Sequence, residues 1–396
     1  MNCTPRTLQF TDISLDEFLK DYWQKKPVVL KQAMPDFINQ LSPEELGGLS
    51  LEPEIESRIV IENPGQTPAW QLLNGPFDND TYTSLPESHW TLLVQGVDRL
   101  LPEIQQLLDY FDFIPQWRVD DVMISYAARY GNVGPHYDNY DVFLLQAQGQ
   151  RNWTLTTQHC NEQNYLGDVA LRVMDKFIVE QEYILEPGDI LYLPPHVGHH
   201  GVSLTDDCMT YSFGYRSYKG DELLNSFCDY VHEQGAFKSL YKDPDWRNIN
   251  HTSELPDSAW KNAKSLLQNA LADDTTIQNW FGQFATSLDS EAETQLPLIL
   301  EDVDEDDLIT LLNSNETLQR HPSCKMVYQL GTDIKLYING VAWQIDSVSI
   351  ELIKLIANQR TIECSDLLVF LDNEPDKLFV FELWQLQWIQ FQEEYE

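Results

Sequence analysis

The chain has 396 residues, with 25 basic and 63 acidic side chains and a formal net charge of −38. Its length suits two or three domains with a substantial core. The charge argues against a general nucleic-acid binder, because affinity for phosphate backbones rests on Lys and Arg. So large an acidic excess either draws a basic partner by long-range attraction or simply keeps the chain in solution. The six cysteines (Cys3, Cys160, Cys208, Cys228, Cys324, Cys364) form no C-x-x-C pair, which fits a reducing compartment rather than a disulfide frame. No apolar run approaches membrane-spanning length, and the opening MNCTPRTLQFTD lacks the form of a signal peptide. A soluble, cytoplasmic protein with no membrane partner is expected.

Ser14 stands where it can cap a helix whose apolar residues Leu15, Phe18 and Leu19 fall at helical spacing. Pro27 ends that helix, and VVL begins a strand. From about residue 119 to 217 short β-type runs follow one another: VMISYAARY, YDVFLLQAQ, NWTLTT, KFIVEQEYIL, DILYLPP, GVSL and MTYSFGY. No long helical pattern interrupts them, which predicts an antiparallel barrel or sandwich. Beyond about 220 the pattern turns helical, in DELLNSFCDYVHEQ and SAWKNAKSLLQNALADD. The acidic run ILEDVDEDD reads as a solvated linker or a helix start. The tail mixes strands with a helix, and Asn339-Gly340 within YINGVAW is a two-residue hairpin signal. Helices joined to a small hairpin suit a winged-helix unit. Residues 281–396 carry 6 basic and 22 acidic side chains, net −16, the wrong sign for phosphate recognition. The tail therefore reads as a protein-interaction or scaffold module without direct nucleic-acid contact, and FVFELWQLQWIQF as core before partner surface.

The stretch GPHYDNYDVF, residues 134–143, carries the chemistry. Side chains two apart on a strand share a face, so His136 and Asp138 point the same way and Asp141 the other. Their face continues as Tyr140, Val142 and Leu144, an apolar wall that a histidine and a carboxylate need a strong reason to face. H-x-D alone is weak, but LPPHVGHHGVSL offers His196, His199 and His200 at a turn between two strands. Two histidines and a carboxylate make the facial triad of non-haem Fe(II) oxygenases, with positions left open for co-substrate and dioxygen. His199 is favoured as third ligand. His200, sharing a face with Val202 and Leu204, and His196, at the turn, read as residues that support the site or face solvent. In QGQRNWTL, Arg151, Trp153 and Leu155 alternate onto one face, so Arg151 points inward and needs an anionic partner. That partner is an internal carboxylate or a ligand carboxylate, which guanidinium grips bidentately. An iron triad plus an inward arginine suggests 2-oxoglutarate, with Ser125 of MISYAARY as a possible hydroxyl donor to it.

At these residues the chain resembles the JmjC-type Fe(II)/2-oxoglutarate oxygenases, specifically the bacterial ribosomal oxygenases that hydroxylate a ribosomal-protein arginine. FLKDYWQKKPVVLKQA, GNVGPHYDNYDVFLLQAQGQRNW, LEPGDILYLPPHVGHHG and YSFGYR carry the likeness. The resemblance implies an α+β chain, mainly β in its core. Residues 1–90 would extend the core, and 91–219 would form a double-stranded β-helix of cupin/JmjC type. Residues 220–285 would be a helical dimerisation region and 286–396 a C-terminal winged-helix-like domain. It implies His136, Asp138 and His199 as Fe(II) ligands, and Arg151 and Ser125 as the 2-oxoglutarate site. His196 stands where that pattern usually has glycine. The implied activity is hydroxylation of an arginine in a basic large-subunit (50S) ribosomal protein by a cytoplasmic homodimer. Competing readings keep the chemistry on another protein (a histidyl or asparaginyl hydroxylase, or a lysine demethylase), or make the chain a non-enzymatic metal-binding cupin or regulator.

Overall fold

The computed structural model describes residues 7–167, 169–235, 237–248, 251–331 and 333–391. Cys3 lies outside them. Two compact units adjoin in sequence at Ser217 and Tyr218. In the first, the strands are β1 (Val28–Leu30), β2 (Ser57–Glu62), β3 (Trp70–Asn74), β4 (Trp90–Val94), β5 (Val119–Ala127), β6 (His136–Tyr137), β7 (Asp141–Gln148), β8 (Arg151–Thr156), β9 (Gln181–Leu185), β10 (Ile190–Leu193), β11 (Gly198–Ser203) and β12 (Cys208–Tyr215). They form an eight-stranded sheet in the order β1-β10-β7-β12-β5-β4-β2-β3 and a four-stranded sheet β6-β11-β8-β9, antiparallel throughout. This is the double-stranded β-helix.

The central strands β10, β7 and β12 of the large sheet are buried on both faces, which is why β7 reads as an almost unbroken apolar run. Val142 and Leu144 turn inward, into a cluster with Trp153, Leu155, Leu191 and Leu193. Phe143 and Leu145 turn outward, into the main core. That outer face is covered by the N-terminal segment. The Ser14 side chain accepts from the Glu17 N–H, capping helical turns that run from Leu15 to Tyr22. Phe18 is fully buried, its ring 5.0 Å from Tyr192 and 5.7 Å from Phe143, and Trp23 stacks on Tyr192 at 5.5 Å. Burying each such ring stabilises the fold by roughly 2–3 kcal/mol. The strand expected over KFIVEQEYIL is shorter, beginning only at Gln181, and the one at GVSL begins earlier, at Gly198.

The second unit opens with helices Gly220–Glu233, Asp257–Ala270 and Asp274–Thr286. In the last of these, a Cβ at Gly282 would stand 2.3 Å from the Tyr337 ring, so glycine lets that helix close onto the strand Lys335–Ile338. The acidic run ends as a helix start: Asp304 accepts from the N–H groups of Asp306 and Asp307 and caps Glu305–Ser314, where acidic residues also suit the helix dipole. Asn339 and Gly340, at φ 45° and 79°, turn Lys335–Ile338 into Val341–Trp343. FVFELWQLQWIQF finishes one helix and enters a strand at Ile389, with Phe379, Val380, Leu383 and Trp384 buried as core. No helix among the described residues is long and apolar enough to cross a membrane.

Asp141 belongs to the scaffold. It is fully buried at the start of β7 on the outward parity. It accepts from the Tyr192 hydroxyl (2.6 Å), Gln24 Nε2 (3.2 Å), Ser217 Oγ (3.3 Å) and Arg118 Nη2 (3.5 Å). The Arg118 guanidinium lies over the Trp23 ring at 5.8 Å, so one carboxylate ties the N-terminal segment, β10 and the end of β12 together. Removing one partner of a buried pair strands the other. Asp141→Ala is expected to cost about 3 kcal/mol in a denaturant titration while leaving Co(II) affinity unchanged.

Candidate metal centre

β6 is only two residues long, and its register against β11 sets His136 directly opposite His199. The two imidazole centroids are 4.2 Å apart. Asp138 follows β6, with Oδ2 3.9 Å from His136 Nε2 and 3.6 Å from His199 Nε2. These separations exceed direct hydrogen bonds, and one donor atom from each residue falls within 4.8 Å of the others. Both rings are oriented from behind. His136 Nδ1 meets Gly134 O at 2.9 Å, and His199 Nδ1 meets Val197 O at 3.1 Å. A carbonyl can only accept, so each Nδ1 carries a proton and Nε2 is the nitrogen left to face a metal. Burial and the neighbouring His136 push His199 down to about 4, which keeps it neutral, as a metal ligand must be. Two imidazoles with Nε2 turned inward and a carboxylate fit a first-row divalent ion.

The other histidines lie apart from this cluster. His196 adopts φ +64°, the left-handed conformation a glycine would take most easily, and its backbone N–H donates to Asp138 O at 2.8 Å. Its ring leans on Tyr137. His200 turns to the opposite face of β11, where its Nε2 meets Asn132 Oδ1 at 3.2 Å. The inward face of β11 is the small one, His199, Gly201 and Ser203, not the face with Val202 and Leu204. A Cβ at Gly201 would stand 2.6 Å from the Trp153 ring, so Trp153 fills the space that side chains of β11 vacate.

A cavity of ≈ 170 Å³ lies between the sheets beside these three residues. Arg151 reaches it while only 4 % exposed. Its Nη1 donates to Thr210 Oγ1 at 3.1 Å and lies 3.5 Å from Ser125 Oγ, while Nε has no partner. Among the described residues no carboxylate pairs with it, and burial lowers its pKa. A cation so placed calls for an anionic ligand. Thr210, whose hydroxyl donates to Gln146 Oε1 at 3.3 Å, was not singled out in the sequence. Its signal was its place in MTYSFGY, and the structure pairs it with Ser125.

Asp121 was missed as well, although it shares strand parity with Met123 and Ser125. It lines the same cavity, with Oδ2 accepting from Gln95 Nε2 (2.6 Å) and Gly96 N (2.9 Å). Burial, with Asp98 and Asp120 nearby and Arg99 opposing, pushes its carboxyl up to about 7. Tyr140 lies within electrostatic reach of both Asp138 and Asp121; its hydroxyl is enclosed, and its pKa raised, although the residue as a whole is 39 % exposed.

Residues 106–223 match the JmjC domain, and residues 266–390 match the ROXA-like winged helix. With this donor set inside a double-stranded β-helix, the chain belongs to the JmjC-type Fe(II)/2-oxoglutarate oxygenases. Its relatives narrow the class. The chain is 35 % identical over 331 residues to the ribosomal protein uL16 3-hydroxylase of Escherichia coli (strain K12), across 82 % of this chain and 84 % of that one. It is 30 % identical over 364 residues to a probable ribosomal oxygenase of Haemophilus influenzae, across 89 % and 87 %. The E. coli ribosomal oxygenase YcfD, solved with cobalt and 2-oxoglutarate, superposes with a TM-score of 0.81 at 30 % identity, over 98 % of this chain and 99 % of that one. The chain is a member of the bacterial ribosomal oxygenase family.

Removing a donor separates the three histidine positions. His136→Ala and His199→Ala are expected to weaken Co(II) binding at least about 100-fold in a spectroscopic titration, whereas His196→Ala stays within about threefold. Arg151→Met is expected to weaken 2-oxoglutarate binding at least about 30-fold by calorimetry.

Proposed function

We propose that this chain hydroxylates an arginine side chain of a large-subunit ribosomal protein. The observation that carries the reading is one cavity with an acceptor site for each reactant: a buried cation without a carboxylate partner, Arg151, and a buried carboxylate held by N–H donors, Asp121. The relative named as a uL16 3-hydroxylase and the YcfD structure with cobalt and 2-oxoglutarate support it. In this reading His136, Asp138 and His199 hold Fe(II), and Arg151, with Ser125 and Thr210, takes the distal carboxylate of 2-oxoglutarate. Bound there, iron and co-substrate would supply the oxidation in which one atom of O2 enters an unactivated C–H bond and the other leaves in succinate, with release of CO2.

The protein's part is binding, orientation and exclusion of water. The Asp121 carboxylate would accept charge-assisted hydrogen bonds from the substrate guanidinium. Tyr140 would cover the aliphatic stem, and the Val142–Leu144 wall would keep the reacting carbon dry. The charge of −38 would draw a strongly basic ribosomal protein towards the opening. Such a substrate puts the reaction in the cytoplasm. We also propose that the helical segment 220–285 pairs two copies, since Leu224, Trp260, Leu267 and Leu271 leave apolar surface exposed there.

Intact masses of ribosomal proteins from cells with and without the gene test this directly. One basic 50S protein is expected to lose a single oxygen's mass without the gene; unchanged masses throughout would overturn the substrate assignment. Asp121 gives a second test, with opposite effects on activity and stability. Its folded pKa of about 7 lies above the unfolded value of 3.8, so the folded state pays an increasing penalty as pH rises through that window. Asp121→Asn removes the penalty and is expected to raise the melting temperature at pH 8 by about 2 °C or more. It should also lower kcat/KM for an arginine peptide at least about 100-fold. In the parent protein kcat/KM is expected to fall about tenfold for each pH unit below 7, as the carboxyl takes up its proton.

A further inference from the structure

We infer that Asn132, clamped between Glu62 and His200, is a positioning residue for the His136 imidazole; the inference rests on the metal role proposed above. Asn132 lies in the turn between β5 and β6 and is 1 % exposed. Its amide is fully used. Nδ2 donates to Glu62 Oε2 at 2.6 Å and to Tyr130 O at 3.0 Å. Oδ1 accepts from the Gly134 N–H at 2.9 Å and meets His200 Nε2 at 3.2 Å. The partners themselves orient the amide, because the carboxylate and carbonyl only accept and the backbone N–H only donates. It follows that His200 is the donor, through Nε2–H.

Gly134, which Asn132 holds by its N–H, presents its own carbonyl to His136 Nδ1 at 2.9 Å. That carbonyl depends on a backbone only glycine adopts freely: φ is +80°, and a Cβ would stand 2.8 Å from Val173 Cγ2. The direction of the His136 lone pair is thus set through Gly134 by one side-chain amide. The same amide grips His200, next to His199, so the loop carrying one candidate ligand is tied to the strand carrying another. Glu62, at the end of β2, anchors the assembly to the large sheet. The base of the loop is held separately, by Tyr130 N to Ser203 O and Ser203 N to Gly131 O, both 3.0 Å. Loss of the amide therefore loosens the tip that carries Gly134 and leaves the root in place.

The test is a Co(II) titration of the full chain, read by the visible ligand-field bands, with the melting temperature followed in parallel. Asn132→Ala and His200→Leu are each expected to weaken Co(II) binding about tenfold or more and to shift the bands, since outer-shell partners of metal ligands act at that level. The double variant should be no worse than the poorer single variant, because both remove one clamp. His200→Gln, whose amide N–H can replace Nε2–H, should stay within about threefold of the parent. Unchanged Co(II) affinity and bands in both single variants would overturn the inference, whatever the melting temperature does. If Asn132→Ala does not fold, His200→Leu, at a half-buried position, decides alone. His136→Ala is the control: undiminished Co(II) binding there overturns the metal reading and this inference with it. Binding lost in His136→Ala but kept in the clamp variants overturns the clamp alone.

Discussion

Two residue pairs between β6 and β11 bring the candidate metal ligands of this molecule together. Without that short ladder His136 and His199 would sit on separate sheet edges with nothing to hold their rings side by side. With it, the two imidazoles are set by backbone registration, and side-chain choice has only to keep their Nε2 atoms free. Gly134 and Val197 do so with carbonyls from the same two chain segments, and the His196 N–H fixes the carbonyl of Asp138. The donor set is held at its rear almost entirely by main chain, which loses little conformational freedom beyond what folding has already cost.

A second constraint is that the central strands of the large sheet, β10, β7 and β12, are buried on both faces, so alternate residues there are committed to the cavity or to the aromatic core. This separates the charges. Arg151 and Asp121 go inward, where neutral hydroxyls, a side-chain amide and one backbone N–H receive them. Asp141 goes outward to Arg118. The scaffold anion is thus kept out of the cavity, where the two inward groups are met by neutral partners.

Much of this could be read from the chain, and the remainder was hidden for physical reasons. Alternation picked Asp138 over Asp141, although no single strand joins them: β6 ends at Tyr137, and Asp141 opens β7 in the other sheet. It could not settle His199 against His200, because the deciding fact is the Trp153 ring lying over Gly201, a relation between two strands. Small residues on an inward face look like surface until the side chain that fills their space is known. Thr210 and Asp121 were passed over because a hydroxyl in an apolar strand and an acid at a strand start are usually unremarked features. Three strands before residue 95 escaped notice because SRIVIE, WQLLN and WTLLV are short, and only their pairing with one another and with β5 makes them a sheet. The helix Asp274–Thr286 was hidden by a glycine that would weaken it in isolation but meets Tyr337 here.

The separation of Asp138 from Asp141 has a consequence for how this chain can change length. Two residues, Asn139 and Tyr140, stand between a carboxylate of the candidate metal cluster and one that serves the scaffold. β7 is registered by β10 and β12, and β6 by β11 of the other sheet, so loss of either residue would leave β7 facing as it does and shorten the bend, pulling Asp138 away from His136 and His199. Length changes in this stretch therefore fall on the position of Asp138, whatever residues they bring, whereas substitutions at Asn139 meet no such constraint.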